Sequence, residues 1–240
     1  MINKMMFFKS GAFVFSFLLM GLIIHPAANA QTDAQVASLT KAVKFDDVSE
    51  VKTLLSNGMS PNQKDPKGMP MLMVAMQEKS AKTMDYLINA KGINLEAPNV
   101  TGETPLMFAA LYGYLPEVKT LVIDKQVDVN MPKHQWGPLH YACTNGHLSV
   151  AEFLIARGAQ VDALSPSDTT PLMMAIRAGN IQLVRLLLEN GADIRIRNHQ
   201  GFSAIDVAEL FNQEEIRDGL KARWKKLYKQ DYPGGPKPAA

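Results

Sequence analysis

Apolar residues return along this chain at a long and even interval. Leu39, Leu72, Leu106, Leu139, Leu172 and Ile205 stand 33, 34, 33, 33 and 33 residues apart. A second apolar cluster trails each of the first five anchors by 14 to 16 residues: Leu54-Leu55, Tyr86-Leu87-Ile88, Leu121-Val122, Phe153-Leu154-Ile155 and Leu186-Leu187-Leu188. A turn with glycine then follows in four cases, Asn57-Gly58, Lys91-Gly92, Arg157-Gly158 and Asn190-Gly191. Each unit therefore predicts a helix, a tight turn, a second helix, a glycine stop and a loop. Self-similarity at such a period is the mark of a repeat architecture.

Local chemistry within the unit agrees. Thr104 and Thr170 are N-cap residues whose hydroxyls can accept from free amides of the first turn. Pro105, Pro138 and Pro171 follow at the first helical position, where a missing N–H costs nothing. Ala109-Ala110 and Ala142-Cys143 are small enough to let neighbouring helices approach, and Gly113, Gly146 and Gly179 suit the end of the first helix. The second helix, as in 183–189, spreads its apolar residues too broadly for one side to face water. Neighbouring copies must cover it on both flanks.

These residues carry a resemblance. Gly137-Pro138-Leu139-His140-Tyr141-Ala142, Gly146-His147-Leu148 and Gly158-Ala159-Gln160-Val161-Asp162 resemble the ankyrin repeat, as does Gly191-Ala192-Asp193-Ile194. The likeness runs over roughly residues 35–220. It implies an all-α solenoid of about six helix-turn-helix units joined by hairpin loops, within a repeat domain at 31–230. The first unit (Lys41, Lys44, Asp46, Asp47) and the last (Arg217, Asp218, Gly219) place polar residues where a neighbour would otherwise pack. They are expected to act as caps. Pro70-Met71 shifts the capping pair of the second unit, and the loop 128–135 lacks the usual glycine, so a non-standard turn is expected there. A basic closing helix is predicted over 214–229 with Ile216, Leu220, Trp224 and Leu227 on one face. Residues 231–240 are expected to form a disordered tail, since Pro233-Gly234-Gly235-Pro236 cannot continue a regular element.

The N-terminus stands apart from the repeats. Lys4 and Lys9 precede an uncharged, mostly apolar run from Gly11 to Ile24, and Ala28-Asn29-Ala30 closes it. That order is expected of a signal peptide at 1–30, cleaved near Ala30. An uncleaved anchor and a buried helix are the alternatives; the run is short for a membrane span, which needs about 20 residues. The expectation is therefore a periplasmic or secreted protein of bacterial origin. The whole chain has 25 Lys and Arg against 23 Asp and Glu, so losing Lys4 and Lys9 leaves the charges in balance. Nothing in that balance points to nucleic acid. Cys143 is the single cysteine, which excludes an internal disulfide and leaves packing to hold the fold.

Sharper chemistry was weighed and set aside. His140 and Cys143 could form a thiol–imidazole pair, but the resemblance assigns His140 to a hydrogen bond within the repeat backbone, and Cys143 takes a small buried position. His147 belongs to the inter-helix turn by the same resemblance, leaving His134 alone for a metal. No catalytic residue, cofactor or metal is expected. The resemblance implies a non-catalytic module that binds a protein partner through a concave groove. Carried over by position, the contact residues are Lys67, Glu103, Leu111 and Tyr112, then Lys133, His134, Trp136, Thr144 and Asn145, and finally Arg177, His199 and Phe202. Trp136, Tyr112 and Phe202 are the aromatic anchors among them, although Trp136 and Phe202 could instead fold back over the loops as local packing. A periplasmic scaffold or accessory subunit, monomeric, is the first expectation. A secreted effector acting on a host protein is the second and a repeat-based enzyme the third. Membrane contact is expected only through an uncleaved signal or the basic closing helix.

Overall fold

The structure is a computed structural model that describes residues 32–235. The expected signal peptide lies outside the described residues. Among the described residues, twelve α-helices form six consecutive pairs: α1 (Asp33–Lys44) with α2 (Val48–Ser56), α3 (Met71–Gln77) with α4 (Ala81–Ile88), and α5 (Pro105–Tyr112) with α6 (Leu115–Lys119). Then come α7 (Pro138–Thr144) with α8 (Leu148–Ala156), α9 (Pro171–Arg177) with α10 (Ile181–Glu189), and α11 (Ala204–Leu210) with α12 (Glu214–Tyr228). The first helices stack in one row, α1 on α3, α3 on α5, α5 on α7, α7 on α9 and α9 on α11. Their anchors Leu39, Leu72, Leu106, Leu139, Leu172 and Ile205 are buried in one continuous core.

Two backbone requirements recur with the period. The turn inside each pair needs a left-handed residue, supplied by Gly113, Gly146 and Gly179 and, at the same register, by Asp46, Lys79 and Asn212. After each of the three glycines, the very next side chain ties the pair to the one before. Tyr114 donates its hydroxyl to the Met76 carbonyl at 2.9 Å, His147 donates Nε2–H to the Leu111 carbonyl at 2.8 Å, and Asn180 donates to the Gly146 carbonyl at 3.3 Å. The Met76 and Leu111 carbonyls lie in the last turn of first helices, where four backbone acceptors lack intrahelical partners, and the Gly146 carbonyl follows just beyond one. Asp46 was expected on the solvent face of the first cap. It instead accepts the N–H of Thr83 at 2.8 Å, reaching the start of α4.

Insertions and exceptions have local reasons. A π-helical turn, Thr120–Asp124, extends α6; such turns occur mostly as single-turn bulges within α-helices. Gln126, left-handed at φ 58°, then stands where other units have glycine. Pro70 occupies the N-cap of α3 without a side-chain hydrogen bond, as its composition predicts. In α12, Ile216, Leu220 and Trp224 are buried as expected, whereas Leu227 is 53% exposed. The segment after α12 departs from the expected tail. Tyr232 packs against Trp224 with ring centroids 5.0 Å apart, and its hydroxyl meets Asp206 at 2.5 Å and Ser203 at 2.7 Å. Residues 231–235 thus lie against the last unit, and 236–240 fall outside the described residues.

Leu139 is 2% exposed at the centre of this stack. Leu139→Ala should therefore lower the unfolding free energy by about 2–5 kcal/mol in a denaturant titration; a negligible change would contradict the register.

Candidate functional site

Between the rows of helices, hairpins project at the same interval. Four of them share one construction. Asp65, Asn99, Ser165 and Asn198 each pair backbone groups across the hairpin, bonding Met69, Glu103, Thr169 and Phe202, and each side chain accepts amides within its own turn. Side-chain acceptors of this kind stabilise turns by mimicking backbone geometry. Pro132 stands at the equivalent place in the remaining hairpin and has neither an N–H nor a side-chain acceptor. There the left-handed residue moves to His134, φ 59°, so the non-standard turn expected at 128–135 is present and has a cause.

That turn delivers Trp136 beneath it. The indole is half-buried, edge-on to His140 at 5.3 Å and to Tyr141 at 6.4 Å between ring centroids. It forms a wall common to two clefts. One, of about 280 Å³, is lined by Trp136, Met173, Met174, Arg177, Phe202, Leu210 and Phe211 among others. The second, also about 280 Å³, is lined by Glu103, Met107, Trp136, Tyr141 and residues of the flanking hairpins. Packing and exposure are therefore not alternatives for this side chain; Trp136 does both.

Behind it, His140 is fully buried and carries no catalytic arrangement. Its Nδ1 accepts the Gly137 N–H at 3.1 Å, reaching back from the third helical residue to the N-cap amide as in a capping box, and Nε2–H donates between the carbonyls of Ala163 at 3.1 Å and Thr169 at 3.0 Å. One imidazole thus joins the start of α7 to the next hairpin. Burial holds this histidine below its usual range, although its three hydrogen bonds act the other way. Burial also pushes the Cys143 thiol up to about 12, which leaves it a protonated packing group.

The expected contact residues separate into groups. Trp136, Arg177 and Phe202 meet in one cleft. His134 and His199, from the hairpins on either side, flank a carboxylate that the sequence did not single out: Nδ1 of His134 lies 2.8 Å from one oxygen of Asp168, and Nε2 of His199 lies 2.9 Å from the other. Among the described residues, no three such side chains converge to hold a metal ion. Glu103 turns inward. Its carboxylate accepts from Tyr141 at 2.8 Å, Asn99 at 2.7 Å and Thr101 at 2.8 Å, and these bonds, against the effect of burial, hold it below the ordinary glutamate range. Thr144 gives its hydroxyl to the His140 carbonyl, and Asn145 ties its amide to the Leu111 carbonyl. Tyr112 stacks on Tyr114 at 5.8 Å and, like Leu111, is half-buried. Lys67 and Lys133 are exposed on hairpin tips. Leu210 and Phe211 were missed; they stand 33 residues after Arg177 and Ala178, so extending the period into the last unit would have found them.

Comparison with known proteins decides the family. A model described as ankyrin repeats in three copies matches residues 39–133, 97–165, 118–198 and 139–222. The chain belongs to the ankyrin repeat family. Palmitoyltransferase ZDHHC13 from Homo sapiens is 40% identical over 102 residues, which cover 42% of this chain and 16% of that protein. Ankyrin repeat protein nuc-2 from Neurospora crassa is 31% identical over 106 residues, 44% of this chain and 10% of its own. The B-cell lymphoma 3 protein homolog of Mus musculus is 28% identical over 178 residues, 72% of this chain and 40% of its own. The chain spans less than half the length of each of these relatives, all of them eukaryotic. Ankyrin repeats are modules of protein–protein interaction, generally without catalysis, and that general role is this domain's.

The buried His140 has a consequence for pH. Its folded pKa lies below the unfolded value near 6.5, so the unfolded chain takes up a proton that the folded chain resists. That contribution to stability is fully present above the unfolded value and is lost as pH falls below it. Denaturant midpoints should fall between pH 7 and 5. His140→Asn should be less stable at pH 7 but show a flatter decline; an unchanged slope would contradict the assignment.

Proposed function

We propose that this chain is an exported, monomeric scaffold or accessory subunit of a bacterial periplasmic complex, which captures a protein partner in the groove formed by first helices and hairpins. The observation that carries the groove reading is Trp136, which separates two clefts and presents aromatic surface to both. Aromatic side chains in such places are frequent binding hot spots. Leu210 and Phe211 extend the apolar wall at 47% and 39% exposure, more than a structural role requires. Export rests on Lys4, Lys9, the apolar run Gly11–Ile24 and Ala28-Asn29-Ala30. Among the described residues no helix is long and apolar enough to cross a membrane.

Cell fractionation tests the setting. The mature protein should appear in the periplasm, and its recovery mainly from culture medium would favour an effector that acts on a host protein. Trp136→Ala tests the groove. It should weaken capture of the partner by tenfold or more, about 1.4 kcal/mol or above, with only a modest fall in thermal midpoint because the indole is half exposed. Unaltered capture with a large loss of stability would show that the tryptophan only packs.

A further inference from the structure

Acidic and basic side chains on the groove face differ in how they are engaged. Carboxylates there are engaged internally. Glu103 holds Tyr141, Asn99 and Thr101, Asp168 is flanked by His134 and His199, Asp65 caps its own hairpin, and Glu78 faces Lys44 at 3.6 Å. Three of the cations are not so engaged. Lys67, Lys133 and Arg177 are exposed and make no salt bridge among the described residues. Among the described residues, Arg177 is the only charged one lining the cleft of Trp136, Phe202 and Phe211, where its guanidinium lies 5.4 Å from the Phe211 ring centroid. Lys133 stands on the same hairpin as Trp136, three residues before it, and lines a separate pocket with Met131, His134 and Leu139.

Resting on the groove reading above, we propose that this cleft binds an acidic peptide segment bearing one bulky apolar side chain. The apolar side chain enters between Trp136, Met173, Phe202 and Phe211, a volume of about 280 Å³, and the flanking carboxylates meet Arg177 and Lys133. An unpaired cation beside an apolar cleft, with a second on the neighbouring hairpin, attracts an oppositely charged partner and rejects a basic one, since like charges brought together oppose docking. Guanidinium also offers a carboxylate two parallel hydrogen bonds, which suits Arg177 to the role closest to the anchor.

A displayed library of random dodecapeptides, selected on the purified full-length protein at low salt, tests this. Binders should be enriched in Asp and Glu around a single large apolar residue, and should weaken as salt rises. Arg177→Gln with Lys133→Gln should reduce their affinity by about tenfold or more, while circular dichroism and thermal midpoint stay near those of the parent, as both side chains are exposed. Binders that need Trp136 but show no acidic enrichment, or that ignore the two charge variants, would overturn the acidic assignment and leave the groove reading standing. Binders indifferent to Trp136→Ala, or no enriched binders at all, would overturn both.

Discussion

Close approach of the first helices is the constraint from which the rest follows. An alanine recurs at 42, 75, 109, 142, 175 and 208, on the same interval as the leucine anchors, and each is at most 4% exposed. A side chain of that size lets successive helices pack with little between them, and a larger one would force displaced rotamers or a shifted backbone. No pair of helices covers its own apolar surface; each relies on its neighbours, so the stack is stable only as a stack.

Once the row is set, polar groups can be spent on joining units. Tyr114, His147 and Asn180 reach back to the preceding pair, and His140 reaches forward to the following hairpin. A rigid row in turn holds Trp136, Arg177, Phe202 and Phe211 in fixed positions drawn from three successive units. A partner docking there would find its contacts already ordered, which reduces the entropy lost on binding. The hairpin headed by Pro132 is where this regular construction gives way, and it is also the hairpin that places Trp136.

Much of the fold was legible because period, caps and small residues all state the same geometry. The non-standard turn at 128–135 and the closing helix were legible from the residues themselves, whereas the role of His140 came with the family resemblance. What was hidden depends on contacts across units. Glu103 reads as an exposed acid until Tyr141, from the next unit, is seen to donate to it. Asp168 occupies a left-handed position that Gly68, Gly102 and Gly201 fill elsewhere, yet only the fold brings His134 and His199 to either side of it. Tyr232 follows a helix and precedes Pro-Gly-Gly, a composition that suggests a free tail, but a hydrogen bond to buried Ser203 cannot be read from composition. Phe211 was concealed by the polar character of the last unit.

Site-specific photo-crosslinking in cells most directly tests the division between a stacked frame and a recognition face. A benzoylphenylalanine introduced at Phe211, in the groove, is compared with one at Arg185, exposed on the second helix of the preceding pair. The partner should be trapped from Phe211 and identified by mass spectrometry, with little or nothing from Arg185. Trapping of the same partner from Arg185 and none from Phe211 would place recognition on the opposite side of the stack and contradict the account.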